Sequence, residues 1–212
     1  MGLVFMRIIS IALALVALGF VACGDDSNSS APSVPVEMGE FVDARDNQTY
    51  KTVVIGSQTW MAENLNYETE NSFCYNDEYS YCTQYGRFYT WTAAMSACPA
   101  GWHLPTKEEF ETLINAVGDS ITAGKKLKAS SGWFANNGTD AYGFGALPAG
   151  DWVVGNWGAG SYSPINTSAW FWTSTEEDSL LYYALYLYYY DDNVTFSSVP
   201  ERVAISVRCV KD

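Results

Sequence analysis

Five cysteines, Cys23, Cys74, Cys82, Cys98 and Cys209, constrain this chain more than any other residue type. Residues 1–22 carry one charge, Arg7, followed by a largely apolar run from Ile8 to Val21. That run is too short for a hydrocarbon core of ~30 Å, which needs about 20 residues. Its layout, a basic start, a short apolar stretch and small residues at the end, is that of a signal peptide. Exported chains meet oxidising conditions, where an even set of cysteines reads as a disulfide framework. Four cysteines beyond the leader allow three pairings, and the residues alone leave all three open.

Gly19-Phe20-Val21-Ala22-Cys23 resembles the lipobox of bacterial lipoproteins, with Phe20 where leucine is usual. The resemblance implies that Cys23 carries the lipid and becomes the new N-terminus, which explains the odd fifth cysteine. Gly24 to Gly39 has no aromatic residue and is rich in Ser and Pro, the composition of a flexible tether. At full extension it would reach roughly 50 Å. The expected organisation is therefore a leader over 1–22, a lipidated cysteine with its tether over 23–39, and one domain over 40–212.

Acidic residues outnumber basic ones 24 to 11, for a net charge of −13. All but three of the acids and all but one of the bases lie in the domain, so the acidity is not a property of the tail. Such a surface repels phosphate backbones, and no nucleic acid is expected as a partner. His103 is the only histidine, which excludes a His-rich metal site and leaves a Ser–His–Asp triad little to build on. No G-x-S-x-G elbow and no phosphate-binding glycine loop is present.

Local patterns predict a mixed α+β domain. Thr49–Ile55 and Gln58–Leu65 flank Gly56-Ser57, the signature of a type II′ hairpin. Phe88, Trp91, Met95 and Cys98 fall at helical spacing, which predicts a first helix over Arg87–Cys98, ended by Pro99. Thr106 and Glu109 form a capping box ahead of a Phe110, Leu113, Ile114, Val117 stripe closed by Gly118. Further strands are expected at Phe171–Thr175, Tyr182–Tyr190, Val194–Ser197 and Val203–Val210. Tyr182–Tyr190 is apolar or aromatic on both faces, as in a central strand. Cys209 shares a face with Val203, Ile205 and Val207, which directs it to the core.

Longer motifs add a family resemblance. Trp91, Ala94 and Cys98 with Gly101-Trp102-His103-Leu104 resemble the signature of C-type-lectin-like domains. Leu104-Pro105-Thr106 with Glu109-Phe110-Glu111 resembles a run in relatives of formylglycine-generating enzymes, which share that fold. Trp60–Leu65, Cys98–Glu111, Gly143–Gly150, Phe171–Glu176 and Ser206–Asp212 together resemble the Fibrobacter succinogenes major paralogous domain, a family without an established general activity. The implied fold is C-type-lectin-like: two helices on short, mostly antiparallel strands with long irregular loops. The implied bridges are Cys98–Cys209 and, by remainder, Cys74–Cys82.

The lectin resemblance would bring calcium, which takes six to eight oxygen ligands. Neither the E-P-N or Q-P-D triplet nor the W-N-D triplet occurs, so no metal or other cofactor is expected. Asp191-Asp192-Asn193 and Glu176-Glu177-Asp178 read as solvated turns. Glu108-Glu109 at a helix start suits the helix dipole better than a glycosidase pair. Formylglycine-generating chemistry needs a reactive cysteine pair, and the resemblance gives these cysteines structural places; no catalytic residue is expected.

A binding module remains. Asp151–Ser168 corresponds in order to the long ligand-binding loop of the lectin-like fold and offers Trp152, Asn156, Trp157 and Tyr162. Tyr186, Tyr188 and Tyr190 alternate on one strand face and extend the surface. Aromatic rings amid Gly, Ser and Asn suit stacking on sugar rings; the competing reading packs the same rings as core. The expected protein is a lipid-anchored, non-catalytic envelope protein, periplasmic or surface-exposed. Its partners would be the membrane, through its anchor, and a glycan or a protein at the cell surface. A structural protein without a small ligand is the alternative.

Overall fold

The computed structural model describes residues 35–154 and 160–212. Among them the chain forms β1 (Glu37–Val42), β2 (Thr49–Ile55), β3 (Gln58–Met61) and β4 (Ser72–Phe73). Then come α1 (Tyr79–Tyr85), β5 (Phe88–Thr90), α2 (Trp91–Ala94), β6 (Trp102–His103), α3 (Lys107–Val117) and α4 (Ala123–Leu127). The remaining strands are β7 (Trp152–Val154), β8 (Gly160–Tyr162), β9 (Ser168–Glu176), β10 (Leu181–Tyr188), β11 (Val194–Pro200), β12 (Val203–Ser206) and β13 (Val210–Lys211).

Two sheets result. One runs β1-β2-β3-β13-β6, and the other runs β11-β10-β9-β12-β5-β4 with the β7–β8 hairpin attached to β12. Every ladder is antiparallel except the contact of β9 with β12. The α+β expectation with mostly antiparallel strands therefore holds, and β10 lies inside its sheet between β9 and β11.

The hairpin closes at Ile55 opposite Gln58, with Gly56 at φ +62 and no positive φ at Ser57, as the type II′ reading requires. α3 starts at the predicted capping box. The Thr106 hydroxyl accepts from the Glu109 N–H, and the Glu109 carboxylate accepts from the Thr106 N–H. Phe110, Leu113, Ile114 and Val117 are buried against Val53, Ile55, Trp60, Phe171, Leu185 and Leu187. Each such side chain contributes about 1.5–3 kcal/mol relative to exposure.

Four expectations need correction, one of them the strand over Tyr182–Tyr190, which ends at Tyr188 where the chain enters a turn. The helix predicted over Arg87–Cys98 is a strand followed by one helical turn. Phe88–Thr90 pairs with both β12 and β4, and the Thr90 hydroxyl then caps α2 by accepting from the Ala93 N–H. Ladder bonds on both edges outweigh a weak helical period, and Met95 is left 47% exposed. Nor are there only two helices, because α1 and α4 add two short segments among the described residues. Their polar, aromatic and Lys-rich sequences carry no apolar stripe long enough to signal a helix. β12 also stops at Ser206, and the chain crosses to the first sheet as β13.

Both expected bridges are present: Cys74 to Cys82, eight positions apart, and Cys98 to Cys209, 111 apart. Arg208, beside the longer bridge, is fully buried. Its guanidinium donates to the Asn64 side-chain oxygen and to the carbonyls of Met61, Phe144 and Gly145, and it lies over the Phe144 ring. Burial pulls its pKa down to about 9, with the charges of Asp140 and Glu63 acting in the other direction. The side chain joins β3, the Phe144 loop and the end of β12 through acceptors that no strand ladder uses.

Candidate functional site: an aromatic strip along the second sheet

In a strand, alternate side chains point to opposite faces. On β10, Leu185 and Leu187 are buried, whereas Tyr186 and Tyr188 on the other face are half-buried. Tyr186 sits directly opposite Trp170 of β9, and their ring centroids are 4.0 Å apart. The row continues from Tyr186 to Tyr188 at 5.6 Å and from Tyr188 to Tyr190 at 4.4 Å. Tyr189 joins both neighbours and meets Phe134 edge-on at 5.6 Å. Tyr190 is 64% exposed and Phe134 77%. Burial raises the Tyr186 phenol, and the neighbouring Tyr188, Tyr190, Asp191 and Asp151 add to the shift, so its hydroxyl stays protonated.

The end of the strip is held from beneath. Lys128 is buried, and its ammonium donates to the carbonyls of Tyr188 and Asp191 while lying 4.8 Å from the Trp133 ring. Burial lowers its pKa, partly offset by Asp191 and Asp192. Gly124 in α4 lets the same turn approach, since a Cβ there would sit 2.5 Å from the Asp192 carbonyl oxygen. Asn136 donates to the Asp192 carboxylate at 2.8 Å. The sequence marks Lys128 only as a third lysine directly after the apolar Leu127, at the end of α4.

The other predicted aromatics form a separate group. Trp152 and Tyr162 face each other across the β7–β8 hairpin. Trp152 stacks on Phe73 at 4.5 Å, and Tyr162 packs on Tyr75 at 4.9 Å. The Tyr162 hydroxyl bonds the Cys74 carbonyl and the Asp77 carboxylate, both at 3.1 Å. Burial and the Asp77 charge push its pKa up to about 12. Both rings are half-buried, docked on the loop that the Cys74–Cys82 bridge closes. So the structure joins Tyr188 and Tyr190 in one strip and Trp152 and Tyr162 in another cluster. Asn156, Trp157 and Cys23 lie outside the described residues.

The oxygen-rich turns use their own carboxylates. Asp178 accepts from the N–H groups of Leu180 and Leu181, and Asp191 from that of Asn193. Among the described residues no group of three or more His, Cys, Asp or Glu side chains is arranged to hold a metal ion. His103 bridges two carboxylates, Glu109 at 2.8 Å and Asp212 at 2.7 Å. Its partial burial disfavours the charge, but the bonds to Asp212 and Glu109 outweigh that and raise its pKa.

A family model described as the Fibrobacter succinogenes major domain matches residues 53–211. The chain belongs to this family. The matched span runs from inside β2 to β13 and takes in the aromatic strip, both disulfides, α3 and Arg208, so the Fibrobacter major-domain signature covers the whole of the candidate site. The motifs at Trp60–Leu65, Cys98–Glu111, Gly143–Gly150, Phe171–Glu176 and Ser206–Asp212, which carried the resemblance, fall within that span or, for the last, end one residue beyond it. Neither a curated protein nor a solved structure matches the chain.

Proposed function

We propose that this Fibrobacter major-domain protein is an exported, lipid-anchored envelope protein whose lectin-like domain binds a glycan without catalysis. The observation that carries the reading is the row of Trp170, Tyr186, Tyr188 and Tyr190. These rings form one contiguous row that runs from β9 and β10 into the turn after Tyr188, half-buried at one end and exposed at the other. Adjacent flat apolar faces with phenol hydroxyls at their rims match the alternating apolar faces and hydroxyl edges of linked sugar rings. Lys128 supports the reading by fixing the backbone beneath the exposed end, so little ordering is left for the ligand to supply. The non-catalytic part is supported by Cys74, Cys82, Cys98 and Cys209, all engaged in disulfides and so not available as a reactive thiol pair. Those bridges also fit an oxidising compartment, as the leader and the lipobox-like Cys23 do.

The test is retention of the full-length, detergent-solubilised protein on insoluble neutral polysaccharides. Tyr190→Ala removes an exposed ring and should weaken retention about tenfold, a loss of ~1.4 kcal/mol, without moving the thermal midpoint. Equal retention of the variant on every matrix would refute a role for the strip.

A further inference from the structure

At its Trp170 end the strip runs into a cavity of about 200 Å³, and the sheet topology explains why a gap exists there. β9 and β12 share a single pairing, Ser206 with Phe171. Nearer the start of β12, its partners are instead Trp152 and Val153 of β7. β9 and β12 therefore diverge, and the two-residue link Glu201–Arg202 folds Ser198–Pro200 beside the opening. The lining is Val153, Trp170, Val199, Pro200 and Val203, together with Ser198 and one acid, Asp151.

Asp151 is 9% exposed. Burial raises its pKa, partly countered by a hydrogen bond from Ser163. Among the described residues no Lys, Arg or His lies within ion-pair distance of it. A carboxylate in an apolar wall is costly unless a cation accompanies it. It shares the cavity lining with Trp170, which sits opposite Tyr186 and so connects the cavity to the strip. The Trp170 ring next to it offers the aromatic face that attracts ammonium groups most strongly. At ~30 Å³ per water the cavity has room for about six waters, enough for one small group or ring and too little for a chain of sugars.

We propose that this cavity takes the ammonium group of an amino sugar, with Asp151 as counter-ion and Trp170 as π face, while the following sugars lie along Tyr186, Tyr188 and Tyr190. The inference rests on the glycan reading above and narrows it to glycans with free amines. A neutral hexose gives Asp151 no counter-ion, and a uronic acid is repelled by it and by the net charge of −13.

The experiment is calorimetric titration of the full-length protein with trimers of glucosamine, N-acetylglucosamine and glucose. The glucosamine trimer should bind at least about tenfold tighter than the other two. Asp151→Asn should abolish that preference, whereas Glu177→Gln, which removes one exposed charge elsewhere, should leave it intact. Val199→Phe, which fills the cavity, should act like Asp151→Asn and serves as the second variant if Asp151→Asn fails to fold. Equal affinity for all three trimers overturns the amino-sugar site and leaves the glycan reading standing. A preference weakened equally by Glu177→Gln also overturns it, as general charge attraction. If no trimer binds, both readings fall; if a lysine-rich peptide alone binds in an Asp151-dependent way, the ligand is a protein and the amino-sugar assignment is wrong.

Discussion

Removing the two disulfides in turn should cost very different amounts, although the side chains lost are the same. Cys98–Cys209 closes a loop of 111 positions and Cys74–Cys82 one of eight. The chain-entropy relation assigns ~4.8 kcal/mol to the first and ~2.5 to the second, a difference of ~2.3 kcal/mol. Packing losses largely cancel, because each bridge has one sulfur in a fully buried side chain, Cys209 or Cys82. At ~2–4 °C per kcal/mol for a domain of this size, the double variant Cys98→Ala/Cys209→Ala should melt about 5–9 °C below Cys74→Ala/Cys82→Ala. Equilibrium urea unfolding of the two double variants measures the gap directly. Residual structure in the unfolded chain shrinks both contributions but not their order. Equal losses, or a larger loss at the short loop, would show that native contacts at the bridges outweigh loop closure.

Arg208→Met keeps an unbranched apolar stem and removes the donors, leaving the Asn64 amide oxygen and three carbonyls buried without them. At ~1–3 kcal/mol per orphaned acceptor, a loss of about 4 kcal/mol or more is expected by urea unfolding; a loss below about 1 would refute the assignment. Lys128→Met should release the Tyr188–Asp191 turn, raising hydrogen exchange at Tyr189 and Tyr190 and weakening polysaccharide retention in parallel. His103→Gln tests the two-carboxylate clasp through pH. The raised His103 pKa gives stability that is complete below the ordinary value of 6.5 and is lost as pH rises through the folded value. Burial opposes the Glu109 charge, but bonds from Thr106 and His103 prevail and lower its pKa. That contribution is present above 4.5 and lost as pH falls through the folded value. The wild type should therefore exceed His103→Gln most between about pH 4.5 and 6.5, by less than ~1 kcal/mol because His103 is 39% exposed.

Features written in short-range chemistry were legible in the chain. The turn at Gly56-Ser57, the Thr106–Glu109 cap, the α3 stripe and the buried Cys209 each depend on residues within a few positions of one another. The lectin-like resemblance implied the bridge pairing, which no local rule contains. What escaped depends on partners far along the chain. Phe88–Thr90 has a helical neighbour on one side and becomes a strand only because β12 and β4 flank it. Trp170 falls between the expected loop and the expected strand at Phe171–Thr175, and only the β9–β10 register sets it against Tyr186. Lys128 and Arg208 find their acceptors in backbone carbonyls and, for Arg208, in the distant Asn64 side chain, none of which sequence displays as partners.

The crossing from β12 to β13 bears on the order of events when the chain is made. Val203–Ser206 is the middle of one sheet and Val210 is flanked by β3 and β6 in the other. A chain delivered from its N-terminal side presents β3, β6, β5 and β9 with open edges until these few residues arrive. Hairpins such as β1–β2–β3 and β9–β10 can pair early, but neither sheet is complete before position 211. Folding governed by such distant pairings is slow and leaves strand edges open to association. Oxidation is exposed to the same delay: Cys98 waits as a thiol beside Cys74 and Cys82 while its partner is still to come, so trapped intermediates should carry Cys74–Cys98 or Cys82–Cys98 bridges.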